Sequence, residues 1–206
     1  MPRPRSLTQA QVAEAALSVI DRDGLAALTM RAVARELGMS TMGLYRYVVD
    51  RDELEQLVVD LVFGGMDTAP PAPGPSWQRR IEIMVDRMRG QVAIHPAVVP
   101  LTLTHRHSSS GVLRWSEAVL GILTEAGIEG AERVIALRGL TAYIIGAIQV
   151  EHFGPLAGPG TKVIAGLPES SFPYMAETAR AAGDVSADAE FSGGLAAFLR
   201  GLAIRE

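Results

Sequence analysis

The chain has no cysteine among its 206 residues, which excludes disulfides, Cys-ligated zinc, iron–sulfur clusters and thiol catalysis. Lysine is nearly absent too: Lys162 is the one lysine among 19 basic residues, and the rest are arginine. Long apolar runs are missing. The longest strongly apolar stretch without a charge, Gly139 to Val150, is 12 residues and carries Thr141 and Gln149; about 20 are needed to cross a bilayer. No apolar segment follows Met1-Pro2-Arg3-Pro4-Arg5, so no secretory leader is expected. The expectation is a soluble, cytoplasmic protein with no membrane partner. Also absent are a Gly-rich phosphate loop, GxSxG, HExxH and paired carboxylates at one-face spacing near a histidine. No enzyme activity and no cofactor are expected.

What remains is enough for one or two domains that bury roughly 70% of their extended surface. The net charge of −4 argues against a general nucleic-acid coat, because non-specific phosphate binding feeds on lysine and arginine. The charge is uneven, however. Between Thr29 and Val49 stand Arg31, Arg35 and Arg46 against the single acid Glu36, with Arg3 and Arg5 upstream. Arginine is the better bidentate partner for phosphates and guanine edges.

Apolar periodicity predicts an all-α chain with no strand. Ala13, Ala16, Leu17 and Ile20 fit one helix face, with Thr8 as N-cap and Gly24 as stop. A second helix of nine residues starts at Thr29, buries Val33, Ala34 and Leu37 and ends at Gly38. Ser40 caps a third through Val48, and Leu54, Leu57, Val58 and Leu61 form the stripe of a fourth. Pro70, Pro71, Pro73 and Pro75 then forbid a helix across 67–76. The expected organisation is a three-helix domain over 1–50, a connecting helix over 51–66, the proline-rich linker over 67–76 and a second helical domain over 77–206. Within the last, helices are expected with stripes Ile81-Met84-Val85-Met88 and Trp115-Val119-Ile122-Leu123. Others are expected from Ala131 to about His152, near Met175 to Ala182, and from about Asp188 to Ile204. Phe153 to Pro173, with four glycines and four prolines, reads as loop.

The most informative string is TMRAVARELGMSTMGLYRYVV, Thr29 to Val49: a helix, a turn at Gly38-Met39-Ser40 and a second short helix. Two helices joined by a short Gly-containing turn can place the second one in a major groove. Ala34, Leu37, Met39 and Leu44 are expected to lock the pair, leaving Thr41, Met42, Gly43, Tyr45 and Arg46 pointing outward. A helix–Gly–helix corner is also a common packing device, and Tyr45 or Tyr47 alone would suit a half-buried core position.

From Val12 to Leu57 the chain resembles the DNA-binding domain of the tetracycline-repressor (TetR) family, through VAEAALSVIDRDGLAALTMRAVARELGM followed by STMGLYRYVVDRDEL. Val48 stands where the family usually has phenylalanine, and Arg51 where it has lysine. Phe191 to Leu202, FSGGLAAFLRGL, resembles the family's last dimerisation helix; between them only the helix order is similar. The resemblance implies an N-terminal helix-turn-helix domain and a C-terminal helical domain for ligand binding and dimerisation. It implies that Thr29 and Arg31 meet phosphate and a groove edge, that Thr41, Met42, Gly43 and Tyr45 read or line the major groove, and that Arg46, Tyr47 and Arg51 clamp the backbone. Arg3 and Arg5 would form an arm along the duplex, or a tail without contacts.

A single reading helix covers few bases, so two copies about 34–36 Å apart are expected on a palindromic operator. Small residues at Gly139, Ala142 and Gly146, and at Gly194, Ala197 and Gly201, each follow i, i+3, i+7. Interior glycines cost about 1 kcal/mol each against alanine. Close packing across a homodimer seam, with Phe198 beside it, is the expected compensation; packing within one chain is the other. Met84, Met88, Trp115, Tyr143, Gln149 and His152 are candidates for lining an effector pocket, or else plain core. His152 beside Glu151 resembles the metal–drug ligands of tetracycline-type members, but no second histidine aligns with it, so no metal is expected. The function expected is a repressor released by a small apolar or amphipathic effector. The alternative is a ligand-independent DNA-binding regulator or activator.

Overall fold

Local capping sets the first boundaries. Thr8 Oγ1 accepts from the Gln11 amide at 3.2 Å while the Gln11 side chain accepts from the Thr8 amide at 3.0 Å, a reciprocal box that starts α1, Gln9–Asp23. Gly24, at φ +82°, ends it. Val12, Ala16, Val19 and Ile20 are fully buried on the face that α1 turns to α2, Met30–Glu36, and α4, Arg51–Gly64. The computed structural model describes residues 7–203, which form eleven α-helices and two short 3-10 turns, with no strand among them. Arg3, Arg5 and Ile204 lie outside the described residues.

Thr29 caps α2 by accepting from the Ala32 amide at 3.1 Å. The helix closes with the Gly38 amide donating to Arg35 and the Met39 amide to Ala34. That bond pattern needs a left-handed residue, and Gly38 supplies it at φ +65°. α2 is therefore seven residues rather than nine, and Leu37, at its cap, is half-buried. α3 is shorter still. It spans Thr41–Leu44 and opens into turns instead of continuing to Val48.

α4 is capped by Asp50 Oδ1, which accepts from the Glu53 amide at 2.9 Å. It buries Leu54, Val58, Val59, Val62 and Phe63, while Leu57 and Leu61 of the expected stripe are half-buried. The proline segment leads to α5, Trp77–Ala93, with Ile81, Met84, Val85 and Met88 inside. Next comes α6, Val99–His105, a helix the periodicity did not predict; it packs on α4. α7, Ser110–Glu125, buries Trp115, whose indole N–H donates to the Met84 carbonyl at 2.8 Å.

α8, Gly130–Phe153, buries only the stripe Ala136, Leu140, Ile144 and Ile148. α9, Pro159–Ala165, occupies part of the expected loop and pairs with α10, Pro173–Ala182. α11, Ala187–Ala203, packs on α8 through buried Phe191, Leu195 and Leu199. Two compact units result: one built from residues up to Pro73 and from Ile83–Ile122, the other from Gly74–Glu82 and from Leu123 onward.

Candidate nucleic-acid interface

The segment after Gly38 owes its shape to two anchors. Leu44 is fully buried and Val48 nearly so. Ser40 Oγ accepts from the Gly43 amide at 3.1 Å, tying down an exposed donor of the first turn. With these inward, Met42 is 76% exposed, Tyr45 47% exposed, and Arg46 is exposed as well. Thr41, Gly43 and Tyr47 are half-exposed, and so is Met39, which was expected to be locked inside. Thr29 and Arg31 stand exposed at the start of α2, and Arg51 is exposed at the start of α4.

The charges around this surface are sorted. Glu36, the lone acid of the stretch, is engaged by Arg22 at 3.0 Å. The Arg22 guanidinium is pushed above its ordinary value by the hydrogen bond to Glu36 first and to Asp23 second. Arg31, Arg35 and Arg46 carry no ion pair among the described residues. Three exposed arginines without an ion pair thus stand on α2 and just after α3, which suits a polyanion.

In the second unit, α8 and α11 flank a groove of about 450 Å³ lined by Ala142, Tyr143, Gly146, Val150, Phe191 and Gly194 among others. Tyr143 donates its hydroxyl proton to the Phe191 carbonyl at 2.6 Å, and the two rings lie 5.4 Å apart. Of the six ligand candidates, Tyr143 lines this groove; Met84, Met88, Trp115, Gln149 and His152 do not. Met84, Met88 and Trp115 are buried in the first unit, Gln149 is half-buried, and His152 is exposed with its ring edge-on to Phe153 at 4.7 Å.

The glycines divide in the same way. A methyl at Gly139 would lie 2.6 Å from the Phe198 ring, and one at Gly194 would overlap the Tyr143 hydroxyl. Those two glycines thus face side chains of their own chain. Gly146 and Gly201 meet nothing within 4 Å, and Ala142 and Ala197 are not buried.

Comparison with known proteins decides the family. The model described as "Tetracyclin repressor-like, C-terminal domain" matches residues 70–205, and that of "Bacterial regulatory proteins, tetR family" matches residues 12–55. The chain belongs to the TetR family of transcriptional regulators. It is similar to the transcriptional repressor DrrR1 of Streptomyces coeruleorubidus, 32% identical over 152 residues, covering 74% of this chain and 56% of that protein. With the tetracycline repressor protein class D of Escherichia coli it shares 25% over 202 residues, 97% of this chain and 90% of that one. Among solved structures, ActR of Streptomyces coelicolor in complex with actinorhodin superimposes with a TM-score of 0.80 at 25% identity over 97% of each chain. The chain spans 61% and 56% of the lengths of two curated relatives it matches at 32% identity.

This TetR-family chain also holds polar ties that its sequence did not announce. His95, just before the 3-10 turn Pro96–Val98, meets Asp21 of α1 at 2.8 Å. His105, the last residue of α6, meets Glu55 of α4 at 3.0 Å. The partners lie 74 and 50 residues apart, so no local spacing could signal them.

Proposed function

We propose that the chain is a ligand-responsive repressor that binds a palindromic operator as a homodimer and is released by a small apolar or amphipathic effector. The observation that carries the reading is the exposed turn Thr41–Arg46, standing on buried Leu44 beside arginines that hold no ion pair. In this reading Thr41, Met42, Gly43 and Tyr45 face base edges, while Thr29, Arg31, Arg46, Tyr47 and Arg51 meet phosphate or groove edge. Phosphate contacts position the protein and base contacts specify the sequence.

Dimerisation rests on α8. An 18-residue window of this helix has a mean hydropathy of 1.4, long and apolar enough for a membrane by composition, yet only 22% of it is buried. Val134, Ile135 and Val150 are more than half exposed. A second copy laid along Ala142, Gly146, Ala197 and Gly201 would cover that face and close a four-helix bundle; such area is costly to leave in water. The effector is supported by likeness to ActR, a protein solved with actinorhodin. Of the six candidate side chains, Tyr143 is the one offered to it in the groove of the second unit.

The test is selection from a randomised pool of duplexes by the purified protein, followed by titration of the enriched duplex and a scrambled one. Arg51→Ala is expected to weaken binding to both alike and to reduce the salt slope by about 0.9 for each phosphate that the variant leaves unneutralised. Thr41→Ala is expected to change the ranking of duplexes instead. Equal losses on both duplexes for both variants would contradict this division of labour.

A further inference from the structure

Arg51 opens α4 with its side chain 49% exposed, but it is not free to wander. Its Nε donates to Glu55 Oε1 at 2.7 Å, one helical turn on. An arginine has five N–H donors, so this bond engages one of them and leaves the four on the Nη groups for other partners. Glu55 is held from the other side as well. Its Oε2 lies 3.0 Å from His105 Nε2, where α6 packs on α4. Asp52 Oδ1 stands at 3.9 Å from the same nitrogen.

The burial gradient gives the arrangement its meaning. Side-chain exposure falls from 49% at Arg51 to 14% at Glu55 and 1% at His105. A carboxylate only accepts, so His105 Nε2 carries the proton in this contact. The other ring nitrogen, Nδ1, is buried with no hydrogen-bond partner, as is the Ser109 hydroxyl one turn further on. The ring's polar bonding is thus spent on Glu55, at a position where an apolar side chain would be cheaper to bury. Packing alone does not account for a histidine here.

We propose that Glu55 and His105 are positioning residues that hold Arg51 ready for a DNA phosphate, so that the end of α6 sets the phosphate affinity of the reading head. The proposal rests on the DNA-binding reading given above. With His105 in place, each Glu55 oxygen has its own donor, and Arg51 spends a single N–H on it. Remove the His105 donor, and the largely buried Oε2 must find another. Arg51, already bonded to the other oxygen, can supply that donor from Nη, so the guanidinium settles into a two-bond pairing with Glu55 and withdraws from phosphate.

The experiment uses the full-length protein and the duplex that the wild type enriches from a random pool. His105→Gln keeps an amide N–H near the Nε2 position. His105→Asn, of similar polarity, reaches only the Nδ1 position. Thermal melts establish that each variant is folded; should His105→Asn fail to fold, His105→Leu, which fills the space without a donor, replaces it. The expected result is near wild-type binding for His105→Gln. For His105→Asn or its leucine substitute, the donor-less variant at the Nε2 position, a roughly tenfold loss is expected, the size of one charge-assisted hydrogen bond, with a salt slope lower by about 0.9 per protomer. Combined with Arg51→Ala, the donor-less variant is expected to add no further loss.

A loss that leaves the salt slope unchanged and adds to that of Arg51→Ala would mark His105 as packing only and overturn the proposal. Equal behaviour of the Gln and donor-less variants would overturn it too. If the wild type enriches no duplex at all, the DNA-binding reading fails and the proposal with it; enrichment with unaffected His105 variants removes the proposal alone.

Discussion

Gly111→Ala is expected to lower the midpoint of thermal unfolding by roughly 6–12 °C, corresponding to about 3 kcal/mol in a chain of this size. Gly111 sits in the first turn of α7, and a methyl there would overlap the Phe63 carbonyl oxygen, with the carbonyl carbon at 2.8 Å and Phe63 Cβ at 3.0 Å. The obstacle is backbone, which cannot rotate away as a side-chain tip can. Phe63 itself is 1% exposed and lies near the end of α4, so relief would require α7 and α4 to separate. Gly121, on the same helix with nothing within 4 Å of an added methyl, is the control. Gly121→Ala is expected to be neutral or slightly stabilising, because alanine favours the helix. A Gly111→Ala midpoint within about 2 °C of wild type would contradict the close approach of these two helices.

Leu44→Ala is expected to cost the protein its duplex binding, by about a hundredfold or more, while circular dichroism changes little. α3 is four residues long, far below the ~12 at which an isolated helix becomes even marginal in water. It exists because Leu44, fully buried, and Val48, 2% exposed, fasten it to the helices below, with the Ser40 cap closing its first turn. Truncating a buried leucine to alanine costs about 3 kcal/mol, the equivalent of about a hundredfold. That loss falls on a four-residue helix with Val48 as its one other buried apolar anchor. Met42→Ala, at a side chain 76% exposed, removes no such support and is expected to leave stability unchanged. Leu44→Ala binding the enriched duplex within threefold of wild type would show that α3 does not depend on this anchor.

What could be read from the sequence was local. Thr8, Thr29, Ser40 and Gly24 act within a few residues of themselves, and each stands at the boundary its chemistry suggested. Longer periodic stripes were equally legible: Ile81, Met84, Val85 and Met88 are all inside. Two helices were missed, α6 and α9. Pro100 and Pro159 lie in the first turns of α6 and α9, where a missing N–H costs nothing, although Pro159 belongs to the stretch that reads as loop for its prolines and glycines. Seven-residue helices then offer too little periodicity to outweigh them. Features that depend on distant partners were beyond local reasoning. Glu55 meets His105 across 50 residues. Gly111 is a glycine because of Phe63, and Gly139 and Gly194 serve Phe198 and Tyr143 of their own chain.

The candidate site follows the same division. Outward-facing Met42, Tyr45 and Arg46 were legible from the pattern of apolar anchors around them. The Glu36–Arg22 pair, which leaves Arg31, Arg35 and Arg46 as the cations without an acid beside them, was not, because it joins the ends of two helices that only the fold brings together.

Hydroxyl-radical footprinting of the enriched duplex puts the account at most direct risk. The prediction is two protected windows related by a dyad, their centres one helical turn or a multiple of it apart, about 10–10.5 base pairs per turn, both weakened by Leu44→Ala. One window, protection without a dyad, or a footprint that survives loss of the α3 anchor would contradict a paired insertion of this turn into successive grooves.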